Sequence, residues 1–592
     1  MAYALNKLVY IYINKFSRFG PISINLSNQL DIDYSNGVVS IKRKADHFDY
    51  LLGESISSLN IIAGENGVGK TTLLKTIAEL VADSSSGENN YDFEYLLVFQ
   101  IDEETFYLRN EHGDTGPYPI EIRERGWFAP KHGPVSDDYR RSVIYFSPYL
   151  DFNVLEIFHT KDISPIIDLS ATNMVNEDIR TSNACEDNQD ERYENPLILH
   201  RINNIKRQLK FFNEARQCFE FPFSIPSDIN ICFHRLTYDR DDVSSDYKKV
   251  YDLFHSLCSN FFGDDHVISE DNIAKLVFLR NLLSLYFRSI TSIKNRSILN
   301  KYVSEKLQSA INKVAKSDVQ AVIALFESFF AEKDIFDSNI FSELISSFYK
   351  KLIKNKFHVS DNYNQVYIST PTDDPLISLY FRMMDTKINS KMRDRFILPH
   401  VSSFITFDWP NFSSGEKMFA DLFSRIYGVM DKLKNTDRPI LLLIDEGEMG
   451  FHPKWQLKYV TTLCGFVNQI LGKYKIEILL ASHSPLVLSD FPKERVHLFK
   501  KSNRNKIVKG ATMGTLAQNT SELLAHEFFI DSTLIGDLAK KYVNDIITEI
   551  RNLTTSSLNP IMEDELIEKI ELIDEPVVKK ILLEEMGRIF NA

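Results

Sequence analysis

The sequence predicts an α/β protein in which a mainly parallel sheet is assembled from both ends of the chain around a large, mostly helical insertion. Three observations carry that prediction. Near the start, "LNIIAGENGVGKTTLLKTIAEL" runs from an apolar strand through a glycine-rich turn into an amphipathic helix. Near the end, "PILLLIDEG" and "IEILLASHS" read as strands apolar on both faces, the pattern of a parallel sheet covered on both sides. Between them, roughly 240 residues read mainly as helices.

Taken in order, "LVYIYI", "PISINL", "GVVSIKR" and "LNIIAG" are short strands separated by turn formers. The helix after Lys70 ends near "DSSSGENN", a loop by composition. "YLLVFQID" and "ETFYLR" suggest a hairpin, and "SVIYFS" a buried strand. The acidic tract "NMVNEDIRTSNACEDNQDERYEN" reads as a mobile loop, and two short strands are expected around "FPFSIPSDINICF". Helical patterns follow in "VYDLFHSLCSNFF", "IAKLVFLRNLLSLYFRSI", "VQAVIALFESFF" and "ISSFYKKLI". A strand "SSFITF", a helix from Ser414, the two apolar strands and a mostly helical stretch from about residue 510 complete the chain. The expected divisions are an N-terminal lobe 1–152, an insertion 153–396, a C-terminal lobe 397–510 and a helical tail 511–592. Neither an internal repeat nor a coiled-coil heptad seam of useful length is present.

Composition bounds the function classes. The 592 residues carry a formal net charge of −13, so nucleic acid can be met only by local basic faces. Five cysteines, none in a C-x-x-C pair, point to a reducing compartment and away from a disulfide framework or a cysteine-held zinc. The first apolar run holds only six residues, too few for a signal-peptide core, and no run reaches the ~20 apolar residues of a spanning helix. A cytoplasmic protein without membrane contact is the expectation.

Four motifs carry chemistry. Gly64-Glu-Asn-Gly-Val-Gly-Lys-Thr71 fits G-x-x-x-x-G-K-S/T, for which chance gives on the order of 0.02 matches in this length. Its glycines let backbone N–H groups turn in on phosphates, Lys70 neutralises charge, Thr71 can ligate magnesium and the helix N-terminus adds its dipole. "PILLLIDEGEMGFHP" brings Asp445 and Glu446 to a strand's C-terminal edge, where one suits a magnesium ion and the other a general base. Ser413, Ser414, Gly415 and Glu416 open a helix. In isolation that is an ordinary N-cap, and beside an anion it is a close-approach site. His483 leaves the last apolar strand where a γ-phosphate sensor can sit, although a lone histidine there is more often structural.

In this order and spacing the motifs resemble the ABC-type ATPase head, and more narrowly the SMC/RecF branch. The signature there commonly reads "SSGE", and the acidic pair is followed by a segment like Glu448-Met-Gly-Phe-His452-Pro453. "INKFSRFGPISINL" resembles that branch's opening strands, and the likeness spans about residues 5–150 and 397–510. It implies a mixed, mainly parallel sheet with an antiparallel β-subdomain, and ATP with Mg2+ as cofactors. Gly64, Asn66, Gly67, Val68, Gly69, Lys70, Thr71 and Thr72 would hold phosphate. Thr71 and Asp445 would hold the metal, Glu446 would activate water and His483 would sense the γ-phosphate. Ser413, Ser414, Gly415 and Glu416 would complete the site across a head-to-head homodimer. One departure is plain: the family's Q-loop glutamine has no obvious counterpart, since Gln100 comes early and "YFSPYLD" lies where the lobes would join.

The tail, "GTLAQNTSELLAHEFFIDSTLIGDLAKKYV" with "IELIDEPVVKKILLEEMGRIF", resembles that of PtuA-like ATPases of Septu and retron-associated antiphage systems. Amphipathic helices packing on the head would account equally for Leu523, Leu524, Phe528 and Phe529. The resemblance implies a separately encoded HNH nuclease (PtuB-like) as partner, and, in retron systems, a reverse transcriptase with its DNA and RNA. The alternatives are a self-contained ATPase–nuclease of the overcoming-lysogenization type and a DNA-repair ATPase of the RecF/SMC class. The first needs an Asp-x-Asp on a strand, and none follows Ser489. Four basic clusters could meet DNA: Arg201, Lys206, Arg207, Lys210; Lys350, Lys351, Lys354, Lys356; Lys387, Lys391, Arg393, Arg395; and Lys500, Lys501, Arg504, Lys506, Lys509. Any one alone is more often a solvated face.

Overall fold

The structure, a computed structural model, describes residues 7–14, 21–35 (except 28), 38–44, 48–64, 67–82, 93–101, 106–110, 121–123, 141–150, 166–183, 196–234 (except 218), 340–354, 358–359, 365–385, 405–433, 436–502, 505–510, 514–520, 536–553 and 560–590, with a few isolated positions. Strands β1 (Lys7–Ile13), β2 (Ile22–Asn25), β3 (Leu30–Ser35), β4 (Val38–Arg43) and β5 (Ile56–Gly64) precede helix α1 (Lys70–Ala82). β6 (Tyr95–Gln100), β7 (Phe106–Asn110), β8 (Glu121–Arg123), β9 (Ser142–Phe146) and β10 (Ile166–Asp168) follow. Then come α2 (Ala171–Asn183), α3 (Pro196–Ala215), β11 (Asp228–His234), α4 (Ile340–Lys354), β12 (His358–Val359), β13 (Gln365–Pro371), α5 (Pro375–Asp385) and β14 (Ile405–Asp408). The rest of the head is α6 (Ser414–Leu433), β15 (Ile440–Asp445), α7 (Pro453–Ile470), β16 (Ile476–Ser482), α8 (Pro485–Leu488), β17 (Val496–Ser502) and β18 (Asn505–Gly510). The tail is α9 (Asp537–Asn552), α10 (Pro560–Glu571) and α11 (Pro576–Phe590).

The central sheet runs β10-β9-β15-β16-β5-β17-β18. Its first six strands are mutually parallel, and β18 closes the edge antiparallel to β17. Side chains alternate between its faces, so Leu441, Leu443 and Leu479 join α1 in one core while Leu442, Ile444, Ile478 and Leu480 join α3, α6 and α7 in another. Both faces are covered, which is why β15 and β16 are mostly apolar on both sides. An antiparallel sheet, β2-β1-β6-β7, lies over the α1 side. Its far face packs Val9, Tyr10, Leu96 and Val98 against Leu30, Ile32, Val39 and Ile41 of the β3-β4-β8 sheet.

A buried ion pair within the central sheet also holds the antiparallel sheet through β1. Arg141 Nε is 2.9 Å from Glu477 Oε2, with the side chains 0% and 2% exposed, and Glu477 also accepts from the Leu8 backbone N–H. The other core face is rich in aromatic rings: Phe211, Phe219, Phe423 and Phe466 meet edge to face or tilted at centroid distances from 4.9 to 6.4 Å.

Several expectations need correction. The acidic tract is not all loop: α2 covers residues 171–183, its start held by Ser170, whose Oγ accepts from the Asn173 N–H at 3.3 Å. Within it, Asp178 binds His200 at 2.7 Å and Arg207 at 3.1 Å, so its acids include one fixed by α3. Only one strand, β11, forms around "FPFSIPSDINICF". The β17–β18 hairpin was not foreseen, because its basic sequence lacks the apolar alternation of a strand.

The insertion's described part is not simply helical. β10 extends the central sheet beyond the division at 152, and β12, β13, β11 and β14 form a sheet that crosses the division at 396. Three of the helical patterns, at 250–262, 273–290 and 319–330, lie outside the described residues apart from isolated positions. The tail helices α9–α11 close around a core of their own, including Ile546, Ile550, Leu566, Ile570, Leu582 and Met586. Leu523 instead packs into the main core, and Leu524, Phe528 and Phe529 lie outside the described residues. No helix among the described residues is long and apolar enough to cross a membrane.

Candidate functional site

Strand β5 delivers the glycine-rich turn to the C-terminal edge of the central sheet. Gly64 has φ 153°, and a Cβ there would lie 2.4 Å from the Phe499 carbonyl oxygen on β17, so strand proximity demands glycine. Gly67 and Gly69, at φ 72° and 101°, occupy backbone regions that L side chains avoid. Val68 between them is buried and anchors the turn. Lys70 arches back over it, its Nζ donating to the Gly64 carbonyl at 3.1 Å. Burial lowers the Lys70 pKa to about 8 against the pull of Glu446, Asp445 and Glu448. Thr72 is exposed on the first turn of α1, and Asn66 lies outside the described residues.

Strand β15 ends with Asp445 buried at the same edge. Its Oδ2 accepts the Thr71 hydroxyl at 2.7 Å. The Tyr145 phenol stands beside this carboxylate, whose Oδ1 is buried without a hydrogen bond of ordinary geometry among the described residues. Burial raises the Asp445 pKa to about 6, Glu446 adds to that, and the Thr71 hydroxyl and Lys70 oppose it. A hydroxyl and a desolvated carboxylate side by side are hard oxygen donors, and that set fits magnesium.

The next residue, Glu446, has φ 51°, left-handed for a non-glycine, with its N–H donating to the Ala481 carbonyl at 2.9 Å. Such strain concentrates at functional positions and here turns the carboxylate along the sheet edge. Oε1 is 2.8 Å from His483 Nε2, and Oε2 accepts the Tyr149 hydroxyl. His483 also meets Lys70 Nζ, at 2.7 Å through Nε2 and 3.2 Å through Nδ1. One nitrogen cannot donate to Glu446 and accept from Lys70 together. With the Nε2 proton directed to Glu446, Nδ1 is the acceptor for Lys70. Burial works to raise the Glu446 pKa, but the hydrogen bonds from His483 and Tyr149 outweigh it and hold the carboxyl below its ordinary value.

Behind this row stands a buried relay absent from the sequence-based site list. Glu448 accepts the Ser482 hydroxyl, Ser482 Oγ accepts the Ser484 N–H at 2.9 Å, and Ser484 Oγ donates to Gln456 at 2.7 Å. It ties the segment after Glu446 to the segment bearing His483. Tyr149 was missed for a different reason. It stands on the short "SPYL" stretch after β9, and only the parallel β9–β15 register, Phe146 beside Ile444, makes it a neighbour of Glu446.

Ser413, Ser414, Gly415 and Glu416 lie elsewhere on the head. The Ser413 N–H and Oγ both donate to Glu416 Oε2 at 2.7 Å, and the Glu416 N–H returns to Ser413 Oγ at 3.3 Å, a reciprocal capping box for α6. Gly415 is buried where a Cβ would meet the Gly450 carbonyl at 3.1 Å and Trp455 at 3.2 Å, while Ser413 and Ser414 are exposed. Gln100 is buried in β6, paired with Lys7.

The α3 basic cluster is engaged in ion pairs: Arg201 with Asp408 at 3.4 Å, Arg207 with Asp178 at 3.1 Å and Lys210 with Asp431 at 2.6 Å. Lys351 pairs with Asp374. The cluster from Lys387 to Arg395, and Arg504, lie outside the described residues.

Among known proteins, a relative in Vibrio cholerae serotype O1 biovar El Tor, "Retron Vc95 probable ATPase", is 29% identical over 143 residues, 22% of this chain and 26% of the relative. The chain thus matches about a quarter of that relative's length. A solved structure of the recombination mediator protein RecF of the RecFOR pathway covers 86% of this chain and 100% of its own, at 10% identity and a TM-score of 0.22. No family model matches.

Proposed function

We propose that this chain is an ATP-hydrolysing ATPase of the SMC/RecF-like ABC type, the switch subunit of a prokaryotic antiphage system in which a separate HNH nuclease does the cutting. The observation that carries the ATPase reading is the convergence on one sheet edge of Lys70, Thr71, Asp445, Glu446 and His483 from α1, β15 and β16. Lys70 and the turn's N–H groups would bind the β- and γ-phosphates. A magnesium ion held by Thr71 and Asp445 would neutralise phosphate charge. Glu446 would take a proton from the attacking water as its oxygen bonds to the γ-phosphorus. The bridging oxygen would then leave with ADP, keeping the electron pair of the broken bond, while His483 fixes the Glu446 carboxylate.

Exposed Ser413 and Ser414 suit completion of the site across a homodimer. The retron-associated relative and the tail's resemblance to PtuA-like chains support the defence setting. The tail helices, with a core of their own and outward side chains such as Leu572 and Val577, or the insertion, would hold the nuclease.

The test is calorimetric. Lys70→Ala removes a desolvated charge, and with charge-assisted bonds worth ~1.5–3 kcal/mol each, ATP affinity should fall by about tenfold or more. Unchanged affinity in the folded variant refutes the reading.

A further inference from the structure

We propose that Tyr149 is a positioning residue that aims the Glu446 carboxylate at the attacking water. This inference rests on the ATPase reading above. Its hydroxyl donates to Glu446 Oε2, while His483 Nε2 lies 2.8 Å from Oε1. A carboxylate held at one oxygen can still rotate about its last torsion, which is broad in glutamate. Held at both, its plane is fixed, and each oxygen keeps a second lone pair for a water proton.

The fold supplies the grip through register. β9 and β15 are adjacent parallel strands with Phe146 beside Ile444, so the residues just past their ends emerge together at the sheet edge. Tyr149 is 46% exposed, so its ring contributes little to the core and its hydroxyl's contact is with the carboxylate. Burial, and then the carboxylate it bonds, raise the Tyr149 phenol's pKa above its ordinary value, so the hydroxyl stays a donor. The stretch bearing Tyr149 lies where the lobes were expected to join, so this hydroxyl couples that junction to the candidate base.

The experiment compares steady-state ATP hydrolysis by full-length wild type, Tyr149→Phe, Glu446→Ala and the double variant, with ATP affinity measured by calorimetry. Tyr149→Phe is expected to lower kcat by roughly tenfold, the worth of a hydrogen bond to a charged group, with KM and ATP affinity within about twofold. Removing the hydroxyl in the Glu446→Ala background should then change the residual rate by less than twofold, because the group acts through the carboxylate. Tyr149→His, which can still donate, should recover part of the rate. Equal kcat in wild type and Tyr149→Phe, or a tenfold drop that persists without Glu446, overturns the proposal while leaving the ATPase reading intact. Absence of ATP binding and turnover in the wild type overturns both, and thermal melts of each variant identify any that fail to fold.

Discussion

At the scale of residues, the site is a set of ionisable groups whose charges depend on one another. Lys70, Asp445 and Glu448 are all displaced toward neutrality by burial, whereas Glu446 is held ionised by His483 and Tyr149. Glu446 is therefore in the ionised form that a proton acceptor needs at neutral pH, while the Asp445 carboxylate is already engaged by the Thr71 hydroxyl. Glu448 sets a pH dependence of stability. Its pKa is pushed up to about 7 by burial, against the Ser482 hydrogen bond, from an unfolded value near 4.5. The folded state therefore prefers the protonated acid. This contribution is fully present below about pH 4.5 and is lost as pH rises through about 7. Glu448→Gln, neutral throughout, should gain stability relative to wild type between about pH 5 and pH 8, by up to a few kcal/mol at the alkaline end. Thermal midpoints across that range check it. A difference independent of pH would mean that Glu448 does not titrate there.

At the scale of elements, the phosphate turn is shaped by what packs behind it. β17 runs parallel to β5 with Phe499 paired to Gly64, which leaves no volume for a side chain. Among the described residues nothing lies within 4 Å of the ideal Cβ position of Gly67, so there its backbone angle is what calls for glycine. Gly64→Ala should accordingly lose more stability than Gly67→Ala: a clash with a strand carbonyl adds to strain on the order of 1–3 kcal/mol, against about 1–2 kcal/mol for the left-handed angle alone. Paired thermal melts decide it, and a larger loss in Gly67→Ala would contradict the β5–β17 packing. The helix starts follow simpler local rules. His452-Pro453 and Ser484-Pro485 each place an accepting side chain at the N-cap and a proline at the first helical position. The Arg141–Glu477 pair, buried and bonded to Leu8, locks the antiparallel layer onto β16.

At the scale of the whole molecule, the proposed switch converts nucleotide state into relative movement of heads and appendages. Glu446→Gln should bind ATP, hydrolyse it on the order of a hundredfold more slowly and accumulate as an ATP-bound dimer in light scattering. Wild-type turnover in that variant would move the base role elsewhere. The purified chain alone should not cut DNA with any divalent metal, and should do so only in complex with an HNH partner. Metal-dependent cleavage by the pure chain, abolished by mutating acids other than Asp445 and Glu446, would replace the trans nuclease with a self-contained one.

Local chemistry explains which parts were legible beforehand. A phosphate turn depends on glycines and a lysine within eight residues, so Gly64 to Thr71 could be read directly. The twice-covered strands β15 and β16 had to be mostly apolar, and so identified themselves together with the acids at the end of β15 and the histidine after β16. By itself the sequence determined the parallel core, its two chain segments and the candidate base. Tertiary structure decided the rest, because the relevant partners are distant in the chain. Tyr149 reaches Glu446 across 297 positions, and Arg141 reaches Glu477 across 336. Arg201, Arg207 and Lys210 of α3 pair with acids on other elements, and β10 joined a sheet whose neighbouring strand it follows after about twenty residues. No local periodicity encodes such pairs, since each depends on strand register and on which helix covers which face.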